Sequence, residues 1–334
     1  MDRPIGLMSV SMDLGAGRRG VDMGPSAIRI AGVKTQLEAM GCTVREFGTI
    51  HAPEPEELEA VDEQARYLRE ITAVGVQARD RVREVLAAGC LPLILGGDHS
   101  ISIGTVAGVA DHHRGEDRSV GLLWVDAHTD MHLPPSSPSG NVHGMSLAIL
   151  TGYGIPEPHP PVAQLAEVTP AVHPEAAVVL GARSVDAGER DRVRGRGGEV
   201  PEAAASGDRP GVTARKVRTI PMSEVDERGV AACVDDALAL VSGGALPDGA
   251  LPSGGFHLSF DLDSLDPMVA PGVGTPVPGG FTYREAHLIC EKVARTGALV
   301  SLEFVELNPV LDVEGRTARL AVELIASALG KTIL

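Results

Sequence analysis

Residues 120–130 read VGLLWVDAHTD, an apolar run that ends in the polar sequence DAHTD. The run is apolar on successive residues, whereas a strand with one face in water alternates apolar and polar residues. Strands that are apolar on both faces are typical of a parallel sheet with helices on each side. The stretch therefore predicts a buried strand with Asp126, His128 and Asp130 at its carboxyl end.

Short apolar runs of this kind alternate along the chain with longer stretches of helical pattern. Such a βαβα rhythm predicts an α/β fold in three layers, α/β/α, around a central, mostly parallel, eight-stranded sheet. We find no linker and expect one domain over residues 1–334, with a surface loop insertion at 194–215. The predicted strands are 5–10, 43–47, 91–95, 120–125, 177–180, 219–221, 257–260 and 299–305, and the predicted helices are 25–40, 56–88, 229–240, 283–295 and 316–329.

The composition limits the classes of partner. The 334 residues include 45 acids and 29 bases, a formal net charge of −16. This balance excludes a general nucleic-acid binder, disfavours anionic membranes and favours cationic small molecules, although acidity can also serve solubility alone. The four cysteines lack metal-binding spacing, and the chain shows neither a signal-peptide pattern nor an apolar stretch near the ~20 residues of a membrane helix. We therefore expect a cytoplasmic protein.

Two further predicted strands end in residues that can bind metal. LPLILGGDHS places His99 beyond one strand, and FHLSFDLD places Asp261 and Asp263 beyond another. Residues two apart on an extended chain face the same side, and the carboxyl ends of parallel strands meet at one edge of a sheet. Buried carboxylates need pairing or a metal. The pattern therefore predicts a metal site with six ligands: His99, Asp126, His128, Asp130, Asp261 and Asp263.

The ligand types indicate the metal. Oxygen and imidazole ligands without thiolate suit Mn²⁺, with Fe²⁺, Co²⁺ and Ni²⁺ as alternatives and Zn²⁺ less suited. Six ligands are too many for one ion that also binds water, so we expect two ions per chain, bridged by carboxylates. Each motif alone has a structural alternative; GGDHS, for example, can be a turn capped by Asp98.

Five motifs of the chain resemble the arginase family of ureohydrolases, in particular its bacterial arginases. They are GGDHS (96–100), DAHTD (126–130), SGNVHG (139–144), SFDLDSLDP (259–267) and VELNP (305–309). The similarity runs from about Gly20 to the last predicted helix, and SGNVHG is closer to arginases than to agmatinases. The resemblance implies an arginase-like fold and a homo-oligomer, either a trimer or a hexamer.

The resemblance also implies a reaction. A binuclear manganese hydrolase of this kind converts L-arginine and water to L-ornithine and urea, and hydroxide bridging the two ions attacks the guanidinium carbon. The alternatives are another ureohydrolase acting on agmatine, guanidinobutyrate or formimidoylglutamate, a single-metal amide hydrolase, and a degenerate member that only binds. The resemblance implies that His99, Asp126, Asp130 and Asp261 hold one Mn²⁺ and that Asp126, His128, Asp261 and Asp263 hold the other.

Further roles are implied position by position. Asp130 would move a proton, His143 would exchange protons with solvent, and Glu306 would bind the guanidinium group. His132 stands where arginases carry an asparagine; it can still donate a hydrogen bond to a carboxylate, but it can also alter the choice of substrate. Asp186 has an alternative as a helix N-cap, and Asp266 is expected to form a turn outside the site. The implied substrate-binding residues are His132, Ser139, Asn141, Asp186 and Thr275.

Overall fold

Eight strands form one sheet in the computed structural model of the chain, which describes residues 3–59, 62–152, 171–193, 216–243, 252 and 254–332. The strands are β1 (Ile5–Ser11), β2 (Val44–His51), β3 (Leu91–Gly96), β4 (Gly121–Val125), β5 (Ala177–Ala182), β6 (Arg218–Pro221), β7 (Phe256–Asp261) and β8 (Leu299–Val305). All eight predicted strands are confirmed, with ends shifted by a few residues. The predicted insertion at 194–215 lies outside the described residues.

The strand order is β2-β1-β3-β8-β7-β4-β5-β6, and every pairing is parallel. The chain reaches β3 on one side of the sheet and then crosses to β4, so that β7 and β8 later fill the space between them. Ligand sites in open α/β sheets lie where the strand order reverses in this way, at the carboxyl ends of the strands. The four central strands β3, β8, β7 and β4 therefore frame the candidate site.

The helices cover both faces of the sheet and complete the predicted three layers. Two buried apolar clusters lie on opposite faces; Ile94 belongs to one, whereas its neighbours Leu93 and Leu95 belong to the other. The helices are α1 (Gly24–Ile30), α2 (Val33–Ala39), α3 (Leu68–Ala87), α4 (Ser102–Arg114), α5 (Ser146–Thr151), α6 (Ala187–Val193), α7 (Met222–Arg228), α8 (Val230–Val241), α9 (Tyr283–Thr296) and α10 (Arg316–Ala328).

Two helix predictions were wrong in extent. The predicted helix 25–40 is two helices, because the backbone at Gly32 has a φ of 94°, a conformation that interrupts a right-handed helix. The predicted helix 56–88 begins only at Leu68. Upstream of it, the backbone N–H of Arg66 donates to Gly140 O at 2.9 Å, so this segment packs on the loop around 140 instead of continuing the helix.

Helix α4 was not predicted, because it has no polar face. Ten of its 13 residues are buried, so the apolar periodicity that marks a surface helix is missing. Its glycines serve packing: a Cβ on Gly104 would lie 2.2 Å from Gly75 O in α3, so the two helices can approach this closely only with glycine here. Among the described helices, none combines the length and hydrophobicity needed to span a bilayer.

Candidate metal centre and adjoining cavity

The predicted ligands lie at the carboxyl ends of three of the central strands. His99 follows β3, the DAHTD segment follows β4, and Asp261 ends β7 with Asp263 two residues beyond it. All but His128 are buried, with His99, Asp126 and Asp263 each 1% exposed. The apolar strands thus carry acids and imidazoles into the interior, where only counter-charge can make them stable.

The first cluster surrounds one ring nitrogen of His99. His99 Nδ1 lies 3.1 Å from Asp126 Oδ2, 3.2 Å from Asp130 Oδ2 and 3.1 Å from Asp261 Oδ2. This nitrogen is buried and makes no hydrogen bond within the described part of the chain. One nitrogen lone pair and three carboxylate oxygens aimed at one point are a donor set that fits a divalent cation.

The second cluster shares Asp126 with the first. His128 Nδ1 lies 3.5 Å from Asp126 Oδ1 and 3.1 Å from Asp263 Oδ2. One ligand atom from each of Asp126, His128 and Asp263 falls within 4.8 Å of the others, as do those of His99, Asp126 and Asp130. Asp126 therefore faces both clusters, one oxygen to each. The distances place Asp261 in the first cluster, and its bridging role stays a prediction.

Crowded negative charge changes the ionisation of these groups. Burial and the neighbouring Asp126 carboxylate raise the pKa of Asp130 to about 7. Burial and the carboxylates of Asp263 and Asp126 also raise the pKa of Asp261 well above its usual value. Burial opposes a charged imidazole at His128, but Asp263 and Asp126 outweigh it and raise the pKa of that ring to about 12. The site thus draws in positive charge, which divalent cations can supply.

Glu306 borders the clusters with one carboxylate oxygen unpaired. Its Oε1 accepts from the backbone N–H of His99 at 2.8 Å and lies 2.9 Å from His143 Nδ1. Its Oε2 is buried and has no partner among the described residues. Burial disfavours the carboxylate, but His143 and the hydrogen bonds lower the pKa of Glu306. A buried acceptor without a partner is costly, so this oxygen is suited to a ligand that donates N–H groups.

The backbone at this edge has positive φ angles at two of the predicted site residues. Asp130 has a φ of 50° and Glu306 a φ of 65°, and both side chains are buried. Residues other than glycine rarely adopt positive φ, and such strain concentrates at active and ligand-binding sites. Asp130 Oδ2 lies 3.2 Å from His99 Nδ1, whereas Glu306 Oε1 contacts the His99 backbone and the His143 ring.

A cavity of about 310 Å³ opens beside the clusters. Its volume is at the lower end of the range of small-molecule sites, which suits a ligand of amino-acid size. The residues around it bear hydroxyl, amide, imidazole and carboxylate groups rather than a large apolar wall. Those that were predicted as site residues are His99, His128, Asp130, His132, Ser139, Asn141, His143, Asp186, Asp261, Asp263 and Thr275.

Comparison with known proteins decides the family. The model of the arginase family matches residues 3–330. Arginase from Brevibacillus brevis is 42% identical over 334 residues, which is the full length of both chains. The chain belongs to the arginase family. Arginase from Bacillus caldovelox superposes with a TM-score of 0.84 at 40% identity over 99% of this chain and 100% of that one. Entamoeba histolytica arginase, solved in complex with L-ornithine, gives 0.78 at 27% identity over 98% and 99%.

Three of the residues that the arginase resemblance assigns to the substrate already make polar contacts within the protein. His132 Nε2 lies 2.9 Å from Asp186 Oδ2, and Asn141 Oδ1 accepts a hydrogen bond from Arg66. Asp186 Oδ1 also accepts from the backbone N–H of Gly188 at 2.8 Å, so Asp186 caps the start of α6 and also lines the cavity. Ser139 lines the cavity.

Thr275, Asp98 and Asp266 make hydrogen bonds within the protein. Thr275 Oγ1 donates to Asp263 Oδ2 at 2.8 Å, so it supports a predicted ligand as well as lining the cavity. Asp98 accepts from Ser100 N at 2.9 Å and from Gly15 N at 2.8 Å, which is the capped turn foreseen for GGDHS. Asp266 accepts from Met268 N and Gly279 N at 2.9 and 2.8 Å, so it forms the predicted turn.

Sequence reasoning missed several residues that support this arginase-family centre. Trp124 stacks on His99 with ring centroids 3.8 Å apart and donates to Asp126 at 2.9 Å. Glu189 is buried, lines the cavity and accepts from Thr129 Oγ1 at 2.7 Å. The sequence itself could have pointed to Glu303, because an acid inside an apolar strand, here LVSLEFV of β8, is unusual. Trp124 and Ser259 each precede a predicted ligand by two residues, which places them on the same side of the strand.

Proposed function

We propose that this protein hydrolyses L-arginine to L-ornithine and urea with two Mn²⁺ ions per chain. The observation that carries the proposal is the pair of ligand clusters joined by Asp126, next to the unpaired oxygen of Glu306. The first feature suits two adjacent cations, and the second suits the guanidinium group of a substrate. The L-ornithine bound by the Entamoeba histolytica arginase supports this choice of product.

The six predicted ligands would hold the two ions, with Asp126 as a shared ligand. Oxygen and imidazole donors favour Mn²⁺, because no thiolate belongs to either cluster among the described residues. Divalent cations, when bound, act as Lewis acids that acidify water and so provide hydroxide at neutral pH. The remaining tasks fall to the side chains of this chain: orienting the guanidinium group and moving protons.

Glu306 would orient the guanidinium group. Its buried Oε2 would accept N–H donors from the substrate, while Oε1 stays fixed by the His99 backbone. Charge-assisted hydrogen bonds of this kind are about twice as strong as neutral ones and bring geometric specificity. The guanidinium carbon would thereby be held facing the clusters, in the position for attack by water.

Asp130 and His143 would handle protons. Asp130 lines the cavity with its Oδ2 3.2 Å from His99 Nδ1, and it would pass the proton of the attacking water to the leaving amine. Burial opposes a charged His143, but the Glu306 carboxylate raises the pKa of the ring to about 9. His143 lines the cavity and would exchange protons between the site and solvent.

The opposite end of the cavity would bind the amino-acid group. Asp186 would accept from the α-amino group, and His132, Ser139 and Asn141 would donate to the α-carboxylate. His132 and Asp186 pair with each other, and the pair occupies part of the surface that would bind the amino-acid group. This pairing favours a second candidate, a related ureohydrolase acting on agmatine or guanidinobutyrate. Both candidates share the metals and Glu306 and differ only at this end.

An assay over substrates separates the two. We expect metal-free protein, reloaded with Mn²⁺, to release urea from L-arginine with a kcat/KM roughly 10²-fold or more above that for agmatine, because agmatine leaves the donors for the carboxylate unpaired. The chelated protein without added Mn²⁺ is the control and should release none. A higher kcat/KM for agmatine would favour the second candidate, and no urea from any guanidino compound would contradict both.

We further propose a cytoplasmic homo-oligomer, a trimer or a hexamer, built from one domain per chain. Four free cysteines fit a reducing compartment. Exposed apolar side chains, including Met268 at 83% and Val310 at 66%, fit a surface covered by another copy. The continuity of the eight-stranded sheet supports one domain.

A further inference from the structure

A buried chain of hydrogen bonds leads from the first cluster into the sheet. His99 Nε2 lies 2.8 Å from Ser259 Oγ, and Ser259 Oγ donates to Glu303 Oε1 at 2.7 Å. All three side chains are buried, with Ser259 and Glu303 at 0% exposure. These hydrogen bonds join His99, three residues beyond β3, to Ser259 in β7 and Glu303 in β8, and the three strands are neighbours in the sheet.

Glu303 can only accept in this network. Ser102 Oγ and Thr105 Oγ1 also donate to its carboxylate, each at 2.5 Å, so that it accepts from three hydroxyl groups. Burial opposes its ionisation, but His257, whose Nε2 lies 3.4 Å away, and the hydroxyl donors lower the pKa of Glu303 to about 2. The carboxylate is therefore ionised at neutral pH and has no proton to give.

The direction of each hydrogen bond follows. Ser259 has one hydroxyl proton, and without it the oxygens of Ser259 and Glu303 would repel each other at 2.7 Å. With that proton directed to Glu303, Ser259 Oγ must accept from the ring of His99, so the ring proton lies on Nε2. In the neutral ring the other nitrogen, Nδ1, then carries the lone pair, and it lies 3.1–3.2 Å from oxygens of Asp126, Asp130 and Asp261.

We propose that Glu303, acting through Ser259, is a positioning residue that fixes His99 in the tautomer whose Nδ1 can bind a cation. The proposal rests on the metal centre proposed above and adds two residues that do not touch it. Trp124 completes the arrangement, because its ring stacks on His99 at 3.8 Å with an interplanar angle of 9° and holds the plane of the imidazole. Partners of this type commonly orient metal-binding histidines.

Mn²⁺ binding to the full-length variants tests the proposal. Mn²⁺ alone is titrated into chelator-treated protein, and free Mn²⁺ is followed by electron paramagnetic resonance. In Ser259→Ala we expect one of the two ions to bind about 10- to 100-fold more weakly and the other to bind as in the wild type, because only the first cluster contains His99. Glu303→Gln keeps the side-chain volume and should weaken the same ion.

Thr105→Val is the matched control, because it removes another hydroxyl from Glu303 but leaves the link to His99 intact. It should bind both ions as the wild type does. Two ions of unchanged affinity in Ser259→Ala and Glu303→Gln would overturn the proposal, and so would equal weakening of both ions with a lower unfolding midpoint of the metal-free protein. Wild-type protein that binds no Mn²⁺ would instead contradict the metal centre itself, and the proposal with it.

Discussion

Asp126→Ala is expected to bind fewer than two divalent cations per chain and to lose urea release from L-arginine by about 10³-fold or more, since two cations contribute several kcal/mol and each ~1.4 kcal/mol is tenfold in rate. Asp126 directs Oδ2 to the cluster of His99 and Oδ1 to that of His128, so its loss removes a ligand from both. Elemental analysis and a urea assay on the same preparation measure the two effects.

The alanine substitution also removes a hydrogen-bond acceptor, and this structural effect must be distinguished from the loss of a metal ligand. Trp124 Nε1 donates to Asp126 Oδ2 at 2.9 Å and would lose its partner in the alanine variant. Asp126→Asn keeps the volume and part of the hydrogen bonding, and it should show the same loss of metal. Asp266→Asn, in a turn beyond the same edge, is the control and should keep both ions. Asp126→Ala with a full complement of metal would show that Asp126 is not a shared ligand.

Glu306→Gln is expected to keep both cations and to lower kcat/KM for L-arginine by about 10²- to 10⁴-fold, because removing one partner of a buried charge pair costs ~3–5 kcal/mol. Glutamine has the same volume, and its amide oxygen can still accept from the His99 backbone. The buried position of Oε2 would no longer offer a charged acceptor to the guanidinium group. Steady-state kinetics with metal analysis distinguish this result from that of Asp126→Ala.

Glu314→Gln serves as its control, since Glu314 is exposed and lies eight residues further along the chain. It should match the wild type in both measurements. Wild-type kcat/KM in Glu306→Gln would remove Glu306 from substrate binding, and loss of metal would move its role to the metal centre.

The strands and the six ligands could be predicted because their signals are local. In β4, five successive buried residues are followed by polar residues spaced by two; β7 leads to Asp261 and Asp263 with the same spacing, and β3 leads to His99 alone. Parallel strands then bring these ends together whatever the exact order of the strands. The convergence of His99 on three carboxylates follows from that rule, even though the residues are up to 162 positions apart.

The features that the sequence did not predict depend on tertiary contacts. The segment before Leu68 is rich in Glu and Ala, yet Arg66 bonds to the loop at Gly140, and this contact outweighs helix propensity. The pairing of His132 with Asp186 and the hydrogen bonds of Glu303 join residues that no spacing rule connects. The orphaned oxygen of Glu306 likewise becomes visible only when its surroundings are known.

The proposed activity depends on a pair of ions at the joined clusters, and a titration with Mn²⁺ tests their presence most directly. Chelated full-length protein is titrated with Mn²⁺ while bound metal and urea release from L-arginine are measured in the same samples. We predict two ions bound per chain and urea release that requires both. Undiminished urea release from protein in which elemental analysis finds no divalent cation would contradict it.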